Sequence, residues 1–178
     1  IMGSLYSVSM VGFLVFGQAL ALISGNVDLS VGAVACFASM IAGLTYLWWI
    51  PGISFVFLIL LMLGTGALIG AYNGLFISRI RVNSFLQTLG TYILLYGLVV
   101  MLAGKTLFGL PAGLLMAGSY YIGGVSGLPL AVVILFAGAI AMYIFLGRVP
   151  LGRKIYAVGS NVEAARACGI EVEKTTLM

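Results

Sequence analysis

Histidine is absent from this chain, and charge is scarce. Only 8 Lys and Arg and 4 Asp and Glu stand among 178 residues. That is 7% charged, against about 25% in ordinary soluble domains. Without histidine there is no imidazole for a metal and no Ser-His or Cys-His pair for nucleophilic catalysis. The two cysteines, Cys36 and Cys168, lie far apart and match no metal-ligand spacing. They read as small packing residues. No metal, no bound cofactor and no catalytic residue is expected of this chain. The ~10-residue alternating segments of a membrane β-barrel are missing as well.

What is present is apolar: 63% of the residues are hydrophobic. Uncharged runs cover 1–27, 29–78, 82–104 and 106–147. A helix needs about 20 mainly apolar residues to cross a ~30 Å hydrocarbon core. The expected fold is an all-α polytopic membrane protein with about five spans, at 3–23, 30–49, 54–77, 84–103 and 128–147. Pro51-Gly52 separates the second and third spans. Arg79 and Arg81 close the third, and Lys105 closes the fourth. Residues 104–127 hold seven glycines and Pro111, too broken for a span. They read as an external loop with short helical or re-entrant pieces. The chain opens at Ile1 inside an apolar stretch and stops at Met178 after a charged loop. It reads as a fragment of a longer protein.

Basic residues set the orientation, because cytoplasmic loops are enriched in Lys and Arg. Arg79 and Arg81 mark the inside. The fourth span exits, 104–127 is outside, and the fifth returns. Arg148, Arg153, Lys154 and Arg166 then fall inside, so two separate basic clusters agree by parity. The net charge of +4 reflects these anchors and not nucleic-acid binding. Residues 24–29 fall on the cytoplasmic side or in a half-buried break.

Asp28 is the one acidic residue before Glu163. A carboxylate at membrane depth costs at least ~2.5 kcal/mol, so it is normally paired, capped or functional. Asp28 or Ser30 is positioned to cap the next helix. A gating or pathway role is the alternative. A proton relay is disfavoured, since no second acid lies nearby. Gly66, Gly70 and Gly74 form a four-residue stripe that lets another backbone approach, within the chain or across a dimer seam. Gly104-Lys105-Thr106 imitates the end of a phosphate-binding loop. Its first glycine is replaced by Val99, and an apolar span stands where a strand is needed. No ATP site is visible.

Eight of the twelve charged residues lie in the last 31 positions. Within them, Ser160-x-x-Glu163 fits a capping box, Gly169 fits a left-handed stop, and Ala164, Ala165 and Ala167 favour helix. A helix that short is marginal alone, so something docks on it or holds it. Glu163 and Arg166, three apart, share a face.

Three stretches resemble the membrane permease subunits of ABC importers for monosaccharides, the ribose/xylose type. Ser24-Gly25-Asn26-Val27-Asp28-Leu29-Ser30-Val31-Gly32 resembles that family's Gly-Gly-Ile-Asp-Leu-Ser-Val-Gly signature. Asn73-Gly74-Leu75 through Phe85-Leu86-Gln87-Thr88-Leu89-Gly90-Thr91 is similar to its Asn-Gly…Pro-Pro-Phe-Ile-x-Thr-Leu-Gly-Thr stretch. Residues Gly152 to Asn161, then Glu163 to Arg166 and Gly169-Ile170, resemble its cytoplasmic Glu-Ala-Ala loop. Asn26 and Val27 depart from the usual Gly and Ile. Asn83-Ser84 replaces a Pro-Pro pair, which implies a less rigid start to the fourth span. Ser160 stands where glycine is frequent.

The resemblance implies a single transmembrane permease domain over 1–178 in the bacterial cytoplasmic (inner) membrane, paired with a second permease copy as a homodimer. Cytoplasmic ABC ATPase subunits hold the ATP, and a periplasmic or lipid-anchored sugar-binding protein delivers the solute. Gly159, Ser160, Asn161, Glu163, Ala164, Ala165, Arg166 and Gly169 are the residues it assigns to ATPase coupling. Gly25, Asp28, Leu29, Ser30 and Gly32 form its gating or helix-cap motif. Nucleosides or branched-chain amino acids are the alternative cargo, and a secondary transporter or channel the alternative class.

Overall fold

The computed structural model describes residues 2–102, 120–122 and 127–177. Most of the expected loop at 104–127 therefore lies outside the described residues. Helix α1 spans Met2–Ile23. Helix α2, Val31–Leu44, continues through a π turn at Thr45–Trp49. Gly52, at φ 80°, turns the chain toward α3, Phe55–Leu75. The side chain of Ser54 accepts from the Val56 amide there at 3.4 Å. A second π turn at Phe76–Ile80 ends at Arg81, whose φ of 62° leaves the right-handed helical region and stops the span.

Helix α4 covers Ser84–Leu102. At its start, where Asn83-Ser84 stands in place of the Pro-Pro pair, Asn83 Oδ1 accepts from the Phe85 amide at 2.9 Å. A two-residue antiparallel ladder pairs β1, Tyr121–Ile122, with β2, Leu128–Pro129. Pro129 then leads directly into α5, Leu130–Arg148. Three shorter helices follow: α6 at Pro150–Ser160, α7 at Val162–Ala167 and α8 at Val172–Leu177. The protein is all-α and polytopic by length and composition. Among the described residues, five stretches, Ser4–Ile23, Val31–Trp49, Phe55–Ile80, Ser84–Leu102 and Leu130–Arg148, are long and apolar enough to cross a membrane.

The described residues cluster into two compact units. The first holds 2–27, 120–122 and 127–177. Here α1 and α5 meet through glycines. A Cβ at Gly12 would lie 2.6 Å from Leu135, and one at Gly138 would lie 2.9 Å from Phe16. Position rises together along both helices, so they run parallel. Such small-residue contacts stand in for the hydrophobic effect, which offers little between helices in lipid. The second unit holds 28–102. Leu44 and Leu58 are its most deeply buried large side chains. Leu60 and Leu63 of α3 face outward, as suits a helix in hydrocarbon. Thr45 and Thr65 satisfy their hydroxyls within the helix, donating to the carbonyls of Ile41 and Leu61, both at 2.8 Å.

Candidate functional site

The second unit concentrates its polar side chains where the start of α2, the end of α3 and the start of α4 meet. Asp28 Oδ1 accepts from the Ser30 amide at 2.7 Å and the Ser30 hydroxyl at 2.6 Å. The Ser30 Oγ accepts from Asn73 Nδ2 at 3.1 Å. Asn73 Oδ1 in turn accepts from the Thr91 hydroxyl at 2.6 Å and from Gln87 Nε2 at 3.2 Å. The Leu29 amide donates to Thr88 Oγ1 at 3.1 Å, and Thr88 passes its own proton to the Ser84 carbonyl at 2.8 Å.

These bonds join three helices that are distant in sequence. Asn73 is 4% exposed and Ser30 is 1% exposed. Donation runs one way, from Gln87 and Thr91 through Asn73 and Ser30 to the Asp28 carboxylate. An anion strengthens the bonds it receives, and orphaned polar groups in hydrocarbon are costly. The network therefore fixes how the three helix ends sit within this unit.

Asp28 and Ser30 do not cap α2 as expected. Ser30 occupies the capping position, but its side chain makes no bond to a free helical amide. Its hydroxyl is committed to Asp28 and Asn73 instead. Asp28 closes a local turn on the Ser30 amide, one residue before the helix. Of the other signature residues, Gly32 has open space around it, with nothing within 4 Å of a Cβ placed there. Gly25, in the first unit, has φ 81°, and a Cβ on it would sit 3.7 Å from the Gly159 Cα. The glycine stripe is only partly used. A Cβ at Gly66 would meet Val34 of α2 at 3.9 Å, while Gly70 meets nothing within 4 Å. Gly74 follows Asn73 in α3.

The charged segment in the first unit also departs from expectation. Ser160 is not a cap: it is the last residue of α6, and its hydroxyl donates to the Tyr156 carbonyl at 2.8 Å. Asn161 is extended and caps α7, its Oδ1 accepting from the Ala164 amide at 3.0 Å. Glu163 therefore pairs forward with Arg166 at 3.3 Å instead of reaching back. Both side chains are solvent-facing, so the pair contributes about 0–1 kcal/mol.

Gly169 does stop the helix. Its φ is 78°; its amide donates to the Arg166 carbonyl and the Ile170 amide to that of Ala165. These two bonds close the last turn as a Schellman motif. Ala165 is 3% exposed and packs inward. The outward face carries Glu163, Ala164, Arg166 and Ala167.

Helix α6 is amphipathic, with Ile155 and Val158 buried and Arg153, Lys154 and Tyr156 exposed. A Cβ at Gly159 would drive into the Ile23 carbonyl, and one at Gly152 into that of Phe145. The segment is thus held against the ends of α1 and α5. Asn73, Gln87, Thr88 and Thr91 belong to the candidate site; the sequence marked them only as part of a family-like stretch and gave them no role. The available signal was a polar side chain inside a lipid-length helix, which is rare unless it has work to do.

The whole chain, residues 1–178, matches the family described as branched-chain amino acid transport system / permease component. The autoinducer 2 import system permease protein LsrC of Enterobacter sp. (strain 638) is 35% identical over 166 residues, covering 93% of this chain and 47% of its own length. The ribose import permease protein RbsC of Bacillus subtilis (strain 168) is 31% identical over 182 residues, covering 100% and 54%. LsrC of Yersinia enterocolitica is 30% identical over 161 residues, covering 90% and 43%. The chain spans about half the length of these curated relatives. No solved structure matches it. With its full length matched and its five apolar helices in place, the chain belongs to this family of multi-pass transport permease components.

Proposed function

We propose that this chain is the membrane-embedded permease part of an ABC importer, carrying a monosaccharide-like solute of the ribose or xylose kind across the bacterial inner membrane. Two relatives that cover nearly all of it bear the names of ribose and autoinducer 2 import permeases, which supports a sugar-type cargo. The observation that carries the reading is the tail of the first unit. A six-residue helix, α7, is capped at both ends and presents Glu163, Ala164 and Arg166 outward. It follows an amphipathic helix tied to the ends of two spans. That arrangement suits a docking element that receives force from a partner and passes it to spanning helices.

In this reading 79–83 and 148–174 face the cytoplasm, where ATPase subunits hold the ATP, and 104–127 face outward toward a sugar-binding protein. A second permease copy completes the pathway. The parity of the basic residues supports this orientation, as does the meeting of the α3 end and the 28–30 turn at one end of the second unit. The chain itself contributes positioning and conformational change, which require each state to have different ligand contacts.

The test uses the full-length protein with its ATPase and binding protein in vesicles. ATP-dependent uptake of radiolabelled D-ribose and co-purification of the ATPase are expected. Ala164→Trp, on the outward face of α7, should abolish co-purification while leaving the permease folded. A wild-type permease that never retains an ATPase would overturn the assignment.

A further inference from the structure

We infer that the groove between α3 and α4 is a binding subsite for a neutral, hydroxylated solute, with Gln87 as its recognition residue. The inference deepens the proposed function and rests on it for the role of the bound solute. The groove is open on one side, has a volume of about 670 Å³, and is lined by Leu68 and Tyr72 from α3 and by Gln87, Gly90, Thr91 and Leu94 from α4, among others. That volume lies within the range of small-molecule sites. It lies wholly within the second unit.

Three observations identify the occupant. The first is that no lining residue among the described residues is charged, so none of them compensates an ionic or zwitterionic solute. The second is Gln87 itself. Its amide offers one oxygen and two N–H groups, and one N–H goes to Asn73 at 3.2 Å. No other bond to this amide is made among the described residues. Gln87 is half-buried, and an apolar chain laid over it would leave the remaining oxygen and N–H unpaired at a cost of several kcal/mol each. A lipid tail is therefore a poor filling, and a hydroxyl-bearing one is a good filling, because each hydroxyl both donates and accepts. The third is space: a Cβ at Gly90 meets nothing within 4 Å.

The groove also touches the buried network. Thr91 has one proton and two acceptors in reach, Asn73 Oδ1 at 2.6 Å and the Gln87 carbonyl at 3.1 Å. A solute hydroxyl that draws Gln87 away from Asn73 alters the acceptor shared with Thr91. Through Asn73 that change reaches Ser30 and the Asp28 turn. Gln87 thus reads the solute and helps hold the helix ends, so occupancy and helix arrangement are linked.

The experiment uses the full-length permease in its complex, with Cys36 and Cys168 replaced by serine. Gly90→Cys is placed in the groove and Ile93→Cys on the outward face of α4, where Ile93 is 62% exposed. A water-soluble, membrane-impermeant methanethiosulfonate reagent should modify Gly90→Cys at least tenfold faster than Ile93→Cys, and molar glycerol, a minimal polyol, should slow the groove reaction alone. Equal rates would mean that lipid or another helix fills the groove, and would overturn the inference. In complexes that carry D-ribose, Gln87→Leu should raise KM for uptake at least tenfold with ATPase association intact; an unchanged KM also overturns it. A wild-type complex that carries no D-ribose counts against the proposed function, and the labelling rates then decide the groove by themselves.

Discussion

Asn73 is the side chain on which the buried network turns, and changing it to aspartate gives a sharp test. Asn73→Leu removes the bond to Ser30 and the acceptor for Gln87 and Thr91. All three interhelical bonds are lost, and Thr91 keeps a partner in the Gln87 carbonyl of its own helix at 3.1 Å. Interhelical hydrogen bonds in membranes are worth about 0.6 kcal/mol on average, and a buried orphan adds to this. Asn73→Leu should therefore cost about 1–2 kcal/mol.

Asn73→Asp keeps the shape and the acceptor oxygens but loses the donor to Ser30. It also sets a second carboxylate on the far side of the Ser30 hydroxyl from Asp28. Two like charges roughly 5 Å apart at an effective dielectric of ~20 repel by about 3 kcal/mol. The near-isosteric change should thus be worse than the apolar one. The double variant Asp28→Asn with Asn73→Asp returns the network to one charge, with the Ser30 hydroxyl now donating toward position 73, and should recover most of the loss. The assay is thermal unfolding of the detergent-purified full-length protein, read as a double-mutant cycle. If Asn73→Asp is no worse than Asn73→Leu, or if the double variant recovers nothing, the directional network is not what holds these helix ends.

Three further outcomes are expected. Gly159→Ala should destabilise the first unit by about 1–3 kcal/mol through overpacking against Ile23, seen as a lowered unfolding temperature, whereas Gly32→Ala, with open space around it, should be neutral or stabilising. Tyr120→Cys should react with an impermeant thiol reagent from the periplasmic side and Ser160→Cys should not; the reverse result would invert the orientation. Asn161→Ala should cost about 1 kcal/mol at α7 and weaken ATPase co-purification, while Ser160→Ala should leave both unchanged.

The spanning helices were legible because lipid imposes a minimum apolar length, and few charges interrupt it here. The stop at Gly169 was legible because a left-handed residue strongly favours glycine. The cap was misplaced by one position because Ser160 and Asn161 are both good caps. Nothing local shows that the serine hydroxyl turns back to Tyr156 and keeps that residue helical. Helix α6 was hidden in what looked like a polar loop, although Pro150 at its first position and Ile155 and Val158 three apart carried its signature. The network was not legible because Asp28, Asn73 and Thr91 are far apart along the chain. Their pairing depends on which ends of three helices meet, and pattern alone does not give that.

Gly152 and Gly159 are seven residues apart, close to two helical turns, so they lie on nearly the same face of α6. Each presses a bare Cα against a different neighbour: the last turn of α5 and the carbonyl of Ile23. Helix α6 is therefore a ruler as well as a connector. Adding or removing one residue between the glycines would swing one of them about 100° off its seat, leaving a side chain where none fits. Substitutions along the outward face are free to vary, but the count of residues between the two glycines is not. Natural variation in this segment should therefore change letters and preserve length.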